Sequence, residues 1–427
     1  MKMANMDDYF DVVIVGTGAA GLYCALNLPA RYRILLLTKQ KADESDSFLA
    51  QGGICMQHGE ADYRSFFDDT MRAGHYENNP ATVDLMIRSS NSIIRDLVRR
   101  GVRFARDDHG ALRFTREGAH SRPRILFHED ITGHEITQTL LNEVLRCENI
   151  ELREHTTLLD FFADASACGG VIAAGPDGGA GAVVLACGGI GGLYKNSTNF
   201  PHITGDAIAM ALRHGVACEH LDYIQIHPTT LYSHRKGRRF LISESVRGEG
   251  ALLLDKNGNR FTNELQPRDV VSAAIRAQME KDGTDHVWED MRPIGEAAIR
   301  EHFPNILERC EEEGYDPIHE PIPVVPAQHY FMGGITADLS SRTALPRLYA
   351  CGETCCNGVH GRNRLASNSL LESLVFAQRA ADDILYGEPP VFTGDKPDLA
   401  PYREQEPLFA AYRQEVLTAI ERSKNHE

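Results

Sequence analysis

A chain of 427 residues, 42% hydrophobic and 24% charged, with 37 glycines, has the composition of a globular α/β protein with room for two or three domains, which excludes fibrous and disordered classes. A formal net charge of −16 argues against nucleic acid or an anionic membrane surface as the main partner, while permitting a local basic pocket. No stretch approaches the roughly 18 apolar residues of a membrane span. The opening MKMANMDD carries no apolar segment of a signal peptide. Ten cysteines without a CxxC pair or zinc spacing fit a reduced, cytoplasmic protein with no metal site. The adjacent Cys355 and Cys356 read as buried thiols rather than a redox pair.

In chain order, FDVVIVGTGAAGLYCALNL reads as a buried strand, a glycine turn and a helix, and YRILLLTK as the next strand. Gly16, Gly18 and Gly21 fit GxGxxG, where backbone must turn and approach a pyrophosphate at a helix N-terminus. The acid expected about 20 residues later is replaced by Lys39 and Lys41, which disfavours simple NAD binding and leaves NADP or a flavin. FLAQGGI (48–54) is a second loop suited to close backbone approach. Helices are expected over 80–101 and 130–147, with the charge-dense EGAHSRPR (117–124) between them.

AGAVVLACGGIGGLY (180–194) reads as another buried strand, and TGDAIAMALRHG (204–215) as a helix capped at its start. From about residue 221 the texture shifts to an inserted α+β domain. It includes a charged helical stretch over 268–314 and a proline-spaced return linker, DPIHEPIPVVPAQH (316–329). RLYACGE resumes the buried-strand pattern, SNSLLESLVFAQRAADDIL is an amphipathic helix, and the tail is one polar helix at most. Polar chemistry concentrates in QIHPT (225–229), ISESVRGEG (242–250), PRD (267–269) and HGRNRLASNSLLE (360–372). Each alone reads as a loop or surface motif; together with a dinucleotide turn they point to a site.

The motifs GTGAAG, AQGG, TGD, HPT, RGEG, PRD, HYFMGG and NRLASNSLLE, in this order, resemble the flavoprotein family of succinate dehydrogenase and fumarate reductase flavoprotein subunits and L-aspartate oxidases. The resemblance covers nearly the whole chain, to about residue 390. It implies an α/β fold with a Rossmann-like FAD-binding domain (1–220 and 331–395), interrupted by an α+β capping domain (221–330) and followed by a short helical segment (396–427). It implies FAD contacts at Gly16, Thr17, Gly18, Ala19, Ala20, Gly21 and Lys39. Further contacts are implied at Ser47, Ala50, Gln51, Gly52, Gly53, Asp206, Glu353, Ser367, Ser369 and Leu370. Asp46 stands where relatives with covalent FAD carry a histidine, so non-covalent FAD is expected.

For substrate, the resemblance implies His227 with Ser243 at one carboxylate and His329 with Arg364 at the other, with Gln225 and Glu244 nearby. Arg268 matches the family's proton donor and acceptor. Arginine is a poor base, so Arg268 is expected to protonate carbon in fumarate reduction and to stabilise charge in aspartate oxidation. The EGAHS stretch resembles the aspartate-oxidising branch: Glu117 would recognise the ammonium that distinguishes aspartate from succinate, and His120 would hold the loop or touch substrate. The implied partners are L-aspartate, fumarate and O2, with quinolinate synthase next in NAD biosynthesis. The alternatives are a soluble fumarate reductase or succinate dehydrogenase flavoprotein subunit, and a non-catalytic FAD-binding electron-transfer subunit.

Overall fold

The computed structural model describes residues 8–174, 178–235, 237–388, 391–395 and 397–425. The opening MKMANMD, residue 396 at an expected boundary and the last two residues lie outside that range. The chain begins with β1 (Asp8–Val15), α1 (Ala19–Asn27) and β2 (Ile34–Leu37), the strand–turn–helix–strand that its apolar runs predict. The short β3 (Ile54–Cys55) precedes α2 (Tyr63–Ala73) and α3 (Pro80–Arg100). Helix α3 starts on an Asn79 cap with proline at its first position and stops at Gly101 in the left-handed region. Next come β4 (Ile125–Leu126), α4 (Thr132–Val144), β5 (Ile150–Arg153), β6 (Leu158–Ala163), β7 (Cys168–Ala173) and β8 (Gly178–Leu185).

Helix α5 (Asp206–Arg213) lacks the expected side-chain cap, because left-handed Gly205 holds that position. After β9 (Cys218–Glu219), a four-stranded antiparallel sheet assembles in the order β10-β13-β12-β11. Its strands are β10 (Ile224–Leu231), β11 (Leu252–Leu254), β12 (Val287–Asp290) and β13 (Ile322–Phe331), and its helices are α6 (Glu244–Gly248), α7 (Arg268–Asp282), α8 (Glu296–His302) and α9 (Pro304–Glu312). Two expectations fail here. The charged stretch over 268–314 contains a strand, and the proline-spaced "linker" is β13, an interior strand of the sheet. Pro326 is tolerated because it lies opposite an irregularity between His227 and Thr230, where its missing N–H is not needed.

The chain closes with β14 (Gly334–Thr336), β15 (Leu348–Ala350), β16 (Cys355–Cys356), α10 (Asn368–Tyr386) and α11 (Gln405–Lys424). The main sheet runs β5-β2-β1-β8-β7-β6 with β15 also on β8, and β16-β14-β9 form a small sheet. Strand alternation sorts its core: Val12, Ile14, Ile34 and Leu36 face α1, α3, α4 and α10, whereas Val13, Val15, Leu35 and Leu37 face α5 and α11. The tail helix is therefore not merely polar, since it buries Tyr412, Val416 and Ile420 against this second face. All ten cysteines are free, Cys355 and Cys356 among the buried ones. No helix among the described residues is long and apolar enough to cross a membrane.

Candidate active site

One cavity of about 420 Å³ runs from the β1–α1 turn to the groups carried by α6, α7 and the start of α10. At its first end the wall is backbone. Gly16 has φ +116°, and a Cβ there would stand 2.0 Å from the Ala186 carbonyl oxygen; a Cβ on Gly21 would stand 1.9 Å from the Gly16 oxygen. The turn can close only without side chains at those points, which brings the N-terminus of α1 to the cavity. Thr17, Gly18 and Ala20 line it, whereas Ala19 and Gly21 do not. The Ala19 N–H donates instead to Ser47 Oγ at 3.0 Å.

Lys39, at the end of β2, donates to Asp206 Oδ2 at 2.6 Å and to the His202 carbonyl at 3.0 Å. Both members of that pair line the cavity beside the N-terminus of α5. Ser47, Ala50, Gln51, Gly52 and Gly53 form a further stretch of the wall. The Gly53 N–H donates to Ser367 Oγ at 3.1 Å, tying that wall to the start of α10, where Ser367, Ser369 and Leu370 also face the cavity. Glu353 accepts from the Phe331 N–H at 2.9 Å, and burial pushes its carboxyl up to about 8. Asp46 accepts from the Phe200 N–H at 2.9 Å; burial raises it to about 7 despite nearby Arg238. Its second oxygen has no partner among the described residues.

The other end is made of side chains. Arg268, first residue of α7, donates Nε–H to Glu244 Oε2 at 2.9 Å and Nη1–H to Gln225 Oε1 at 2.8 Å. Gln225 donates to Asn363 Oδ1 and to the Arg364 carbonyl, both at 2.8 Å. The other oxygen of Glu244 accepts from Arg247. Burial alone would raise the Glu244 carboxyl, but Arg247 and Arg268 hold it below its usual range. Arg364 donates to Ser369 Oγ at 2.7 Å and lies 4.3 Å over the Tyr330 ring. Its buried Nε has no partner among the described residues, and burial, aided by Arg268, lowers it to about 10.

The His227 and His329 rings meet edge to face, 5.0 Å apart. Burial and the neighbouring arginines hold both imidazoles well below their usual range, so both are neutral. His329 Nδ1 pairs with Thr198 Oγ1 at 2.7 Å. His227 Nδ1 is occupied by the Thr229 backbone at 3.0 Å, and its buried Nε2 lacks a hydrogen-bond partner among the described residues. Ser243, Glu244, Arg268, His329 and Arg364 line the cavity; Gln225 and His227 stand one layer behind them.

EGAHSRPR folds against this end. Glu117, 2% exposed, lines the cavity and accepts from Ser245 Oγ at 2.8 Å and Ser367 Oγ at 2.6 Å. Burial and then neighbouring Glu244 raise its carboxyl, against those two hydroxyl donors. Gly118 is required because a Cβ would stand 2.6 Å from Glu244 Oε1. His120 departs from its expected contact with substrate, because both ring nitrogens are spent within the protein. Arginine can only donate, so Arg124 Nη1, 2.8 Å away, makes His120 Nδ1 an acceptor and leaves Nε2–H to donate to the Ala366 carbonyl at 3.0 Å. Burial lowers this ring to about 4. Arg124 is itself fully buried on Asp62 and Asp69, which makes His120 a brace for the loop.

The FAD binding domain family matches residues 11–370. The chain is 48% identical over 380 residues to the L-aspartate oxidase of Clostridium perfringens, covering 88% of this chain and 86% of that one. The chain belongs to the L-aspartate oxidase family of FAD-binding proteins. It is 44% identical over 442 residues to the L-aspartate oxidase of Nostoc sp., covering 97% of this chain and 76% of the other. Among solved structures it is similar to E. coli quinol fumarate reductase FrdA, with TM-score 0.83, 30% identity, and coverage of 97% of this chain and 74% of that one. Mycobacterium smegmatis Sdh1 gives TM-score 0.75 at 31% identity, with 90% and 70% covered.

FAD is the cofactor of this family, and the cavity suits it. The glycine turn leaves no Cβ between backbone N–H groups and a pyrophosphate, and three helix N-termini, of α1, α5 and α10, reach the wall. Several residues escaped the motif reading. Ser245 and Arg247 sit within ISESVRGEG, and their signal was there: a hydroxyl next to Glu244 and a cation one helical turn beyond it. Thr198 and Arg238 carried no local signal, because only the fold brings them to His329 and Asp46.

Proposed function

We propose that this chain oxidises L-aspartate to iminoaspartate, with dioxygen (reduced to hydrogen peroxide) or fumarate (reduced to succinate) as acceptor. In this reading it works in the cytoplasm and hands its product to quinolinate synthase for NAD biosynthesis. The observation that carries the reading is Glu117, a buried carboxylate on the cavity wall among Arg268, Arg364 and two neutral histidines. Bound FAD supplies the two-electron acceptor for the hydrogen leaving Cα of aspartate.

The substrate lies between an FAD-binding unit (1–220 and 331–395) and a capping unit (221–330), with α11 of the 396–427 segment docked on the former. One carboxylate is held by Ser243 and His227. Ser243 Oγ accepts from the Ser245 N–H at 3.2 Å, which leaves its own O–H to donate. His227 donates through Nε2–H in the tautomer whose Nδ1 accepts the Thr229 N–H, 3.2 Å away, and gives up donation to the Thr229 carbonyl at 3.0 Å. The other carboxylate takes the free Nε–H of Arg364 and Nε2–H of His329, whose Nδ1 accepts from Thr198. Leaving either carboxylate unpaired in this dry site is costly, so a four-carbon diacid is selected.

Glu117 receives the ammonium. Its serine donors use one lone pair on each oxygen and leave others for the substrate. Arg268 stabilises charge at the reacting carbons during aspartate oxidation and donates the proton to carbon during fumarate reduction. Glu244 and Arg247 return that proton along a continuous hydrogen-bonded chain. The unpartnered oxygen of Asp46 stands where a histidine would attach flavin, so the cofactor is held without a covalent bond.

The test is anaerobic addition of L-aspartate to the flavin-loaded protein, with succinate as comparison. Bleaching of flavin absorbance by aspartate, followed by peroxide when air is admitted, is the expected result. Bleaching by succinate and not by aspartate overturns the reading in favour of a succinate dehydrogenase or fumarate reductase.

A further inference from the structure

Glu289 is a carboxylate in a position that suits a hydrocarbon. Along β12 the side chains alternate, so Val287 and Glu289, with Met291 just beyond, face the capping core with Val271, Ile275, Ile306 and Cys310. Glu289 is 0% exposed, and neither of its oxygens has a hydrogen-bond partner among the described residues. A leucine here would fill the core without the penalty of a buried carboxyl, so stability does not account for the residue.

The groups that bear on it are Arg247 and Glu244 of α6, Glu264 beyond β11, and Cys310 of α9. Three of them are committed. Glu244 is shared by Arg268 and Arg247, Glu264 accepts from Arg260 and the Leu253 N–H, and burial pushes the Cys310 thiol up to about 12. Arg247 is not fully committed. Its two terminal nitrogens bind Thr229 and Glu244, but its Nε is buried and unpartnered among the described residues. An unspent donor at the end of the Arg268–Glu244–Arg247 chain thus shares one dry core with an unspent carboxyl.

We propose that Glu289 is the proton reservoir behind Arg268, an assignment that rests on the fumarate half of the proposed function. In that half-reaction reduced FAD would supply hydride to one carbon of fumarate while Arg268 gives a proton to the other, giving succinate. Arg247 then passes a proton to the Glu244 carboxylate as Glu244 passes one to neutral Arg268, and the Glu289 carboxyl restores the proton to Arg247 through a side-chain rotation or one bridging water, leaving Glu289 as the carboxylate. Solvent reprotonates Glu289 by way of Glu264 and the half-exposed Arg260. Burial pushes Glu289 up to about 8, so it is protonated at neutral pH and able to give the proton.

The test is oxidation of the dithionite-reduced holoenzyme by fumarate, followed by stopped flow across pH 6–9 in wild type, Glu289→Gln and Glu289→Leu. The wild-type rate should fall as pH rises through about 8, because the deprotonated reservoir has nothing to give. Both variants should lose that limb and turn over fumarate about a hundredfold more slowly at pH 7, the lower end of the range for a proton-transfer partner. Their KM for fumarate should be unchanged, since the carboxylate clamps are untouched. Glu289→Leu should also melt at a higher temperature than wild type, which separates lost proton supply from lost folding. Variants that match wild type in rate and pH profile overturn the proposal. A wild type whose flavin responds to neither aspartate nor fumarate overturns the underlying reading instead, and shows it in the wild-type trace alone.

Discussion

The two ends of the cavity are built from different material. At the β1–α1 turn the wall is main chain: glycines, helix N-termini, and one ion pair, Lys39 with Asp206, at its side. At the α6–α7 end it is side chains, where Arg268, Glu244, Glu117 and Arg364 converge, all of them buried. The first end works by shape. A dinucleotide is recognised because nothing protrudes, and tolerance for change there is steric. The second works by charge balance, in which each group's protonation depends on its neighbours, and its tolerance is electrostatic. A methyl group should therefore ruin the first end, while a nearly isosteric loss of charge should ruin only one function of the second.

The largest effect is expected at the backbone end. Gly16→Val places carbon atoms within 2.0 Å of the Ala186 carbonyl, at a φ of +116° that valine does not adopt. The purified variant should carry no flavin, read directly as loss of the absorbance near 450 nm. A Gly16→Val protein that stays yellow would mean that this end does not work by shape.

At the other end Glu117→Gln keeps the size and one accepting oxygen for the serines, with the other hydroxyl turned to accept from the amide, but removes the charge. Its kcat/KM for L-aspartate should fall about a hundredfold, the scale for unpairing a buried, hydrogen-bonded charge. Fumarate reduction, which involves no ammonium, should change by less than about threefold, and flavin content should not change. The wild-type pH dependence has a defined sign. Because burial raises the Glu117 carboxyl, it becomes protonated at a higher pH than an exposed glutamate, so KM for aspartate should climb as pH falls through that raised value. Glu117→Gln should abolish the climb. Equal losses with aspartate and fumarate would return Glu117 to a structural role.

The same contrast explains what was legible in the sequence. The backbone end is local: Gly16, Gly18 and Gly21 lie within six residues, and the strand and helix around them follow from periodicity. The side-chain end is assembled from distant segments. Glu117 meets Ser367, 250 positions away, and Gln225 meets Asn363, 138 away. Motifs could name those residues, but not their partners. The sequence left His120 between holding the loop and touching substrate, because its partner Arg124, seated on Asp62 and Asp69, takes its place only once α2 packs beneath the loop. β13 was misread as a linker because Pro323 and Pro326 hid an interior strand, and the bulge that accommodates Pro326 belongs to β10. Glu289 was invisible for a related reason: the sequence places it in a charged stretch, and only the sheet turns it inward.

The smallest effect joins the two ends through the loop that carries Glu117. Ala119 has φ +65°, a left-handed conformation in which an alanine Cβ costs about 1–2 kcal/mol, while its N–H is fixed to the Leu265 carbonyl at 3.0 Å. Glycine is free of that cost but loses more backbone entropy on folding, about 0.5–1 kcal/mol. Ala119→Gly should therefore stabilise the protein by about 0.5 kcal/mol net, seen as a slightly higher denaturant midpoint at unchanged m value. Activity with aspartate should hold, because Glu117 and Gly118 keep their contacts. The sign is the informative part. The strain at Ala119 turns the chain so that Glu117 faces the cavity while His120 reaches the Ala366 carbonyl behind it. If glycine stabilises the fold, the loop is held in that pose against local preference by Arg124, Asp62 and Asp69. If it destabilises the fold, Ala119 does not occupy the left-handed region, and the path that aims Glu117 at the substrate is different.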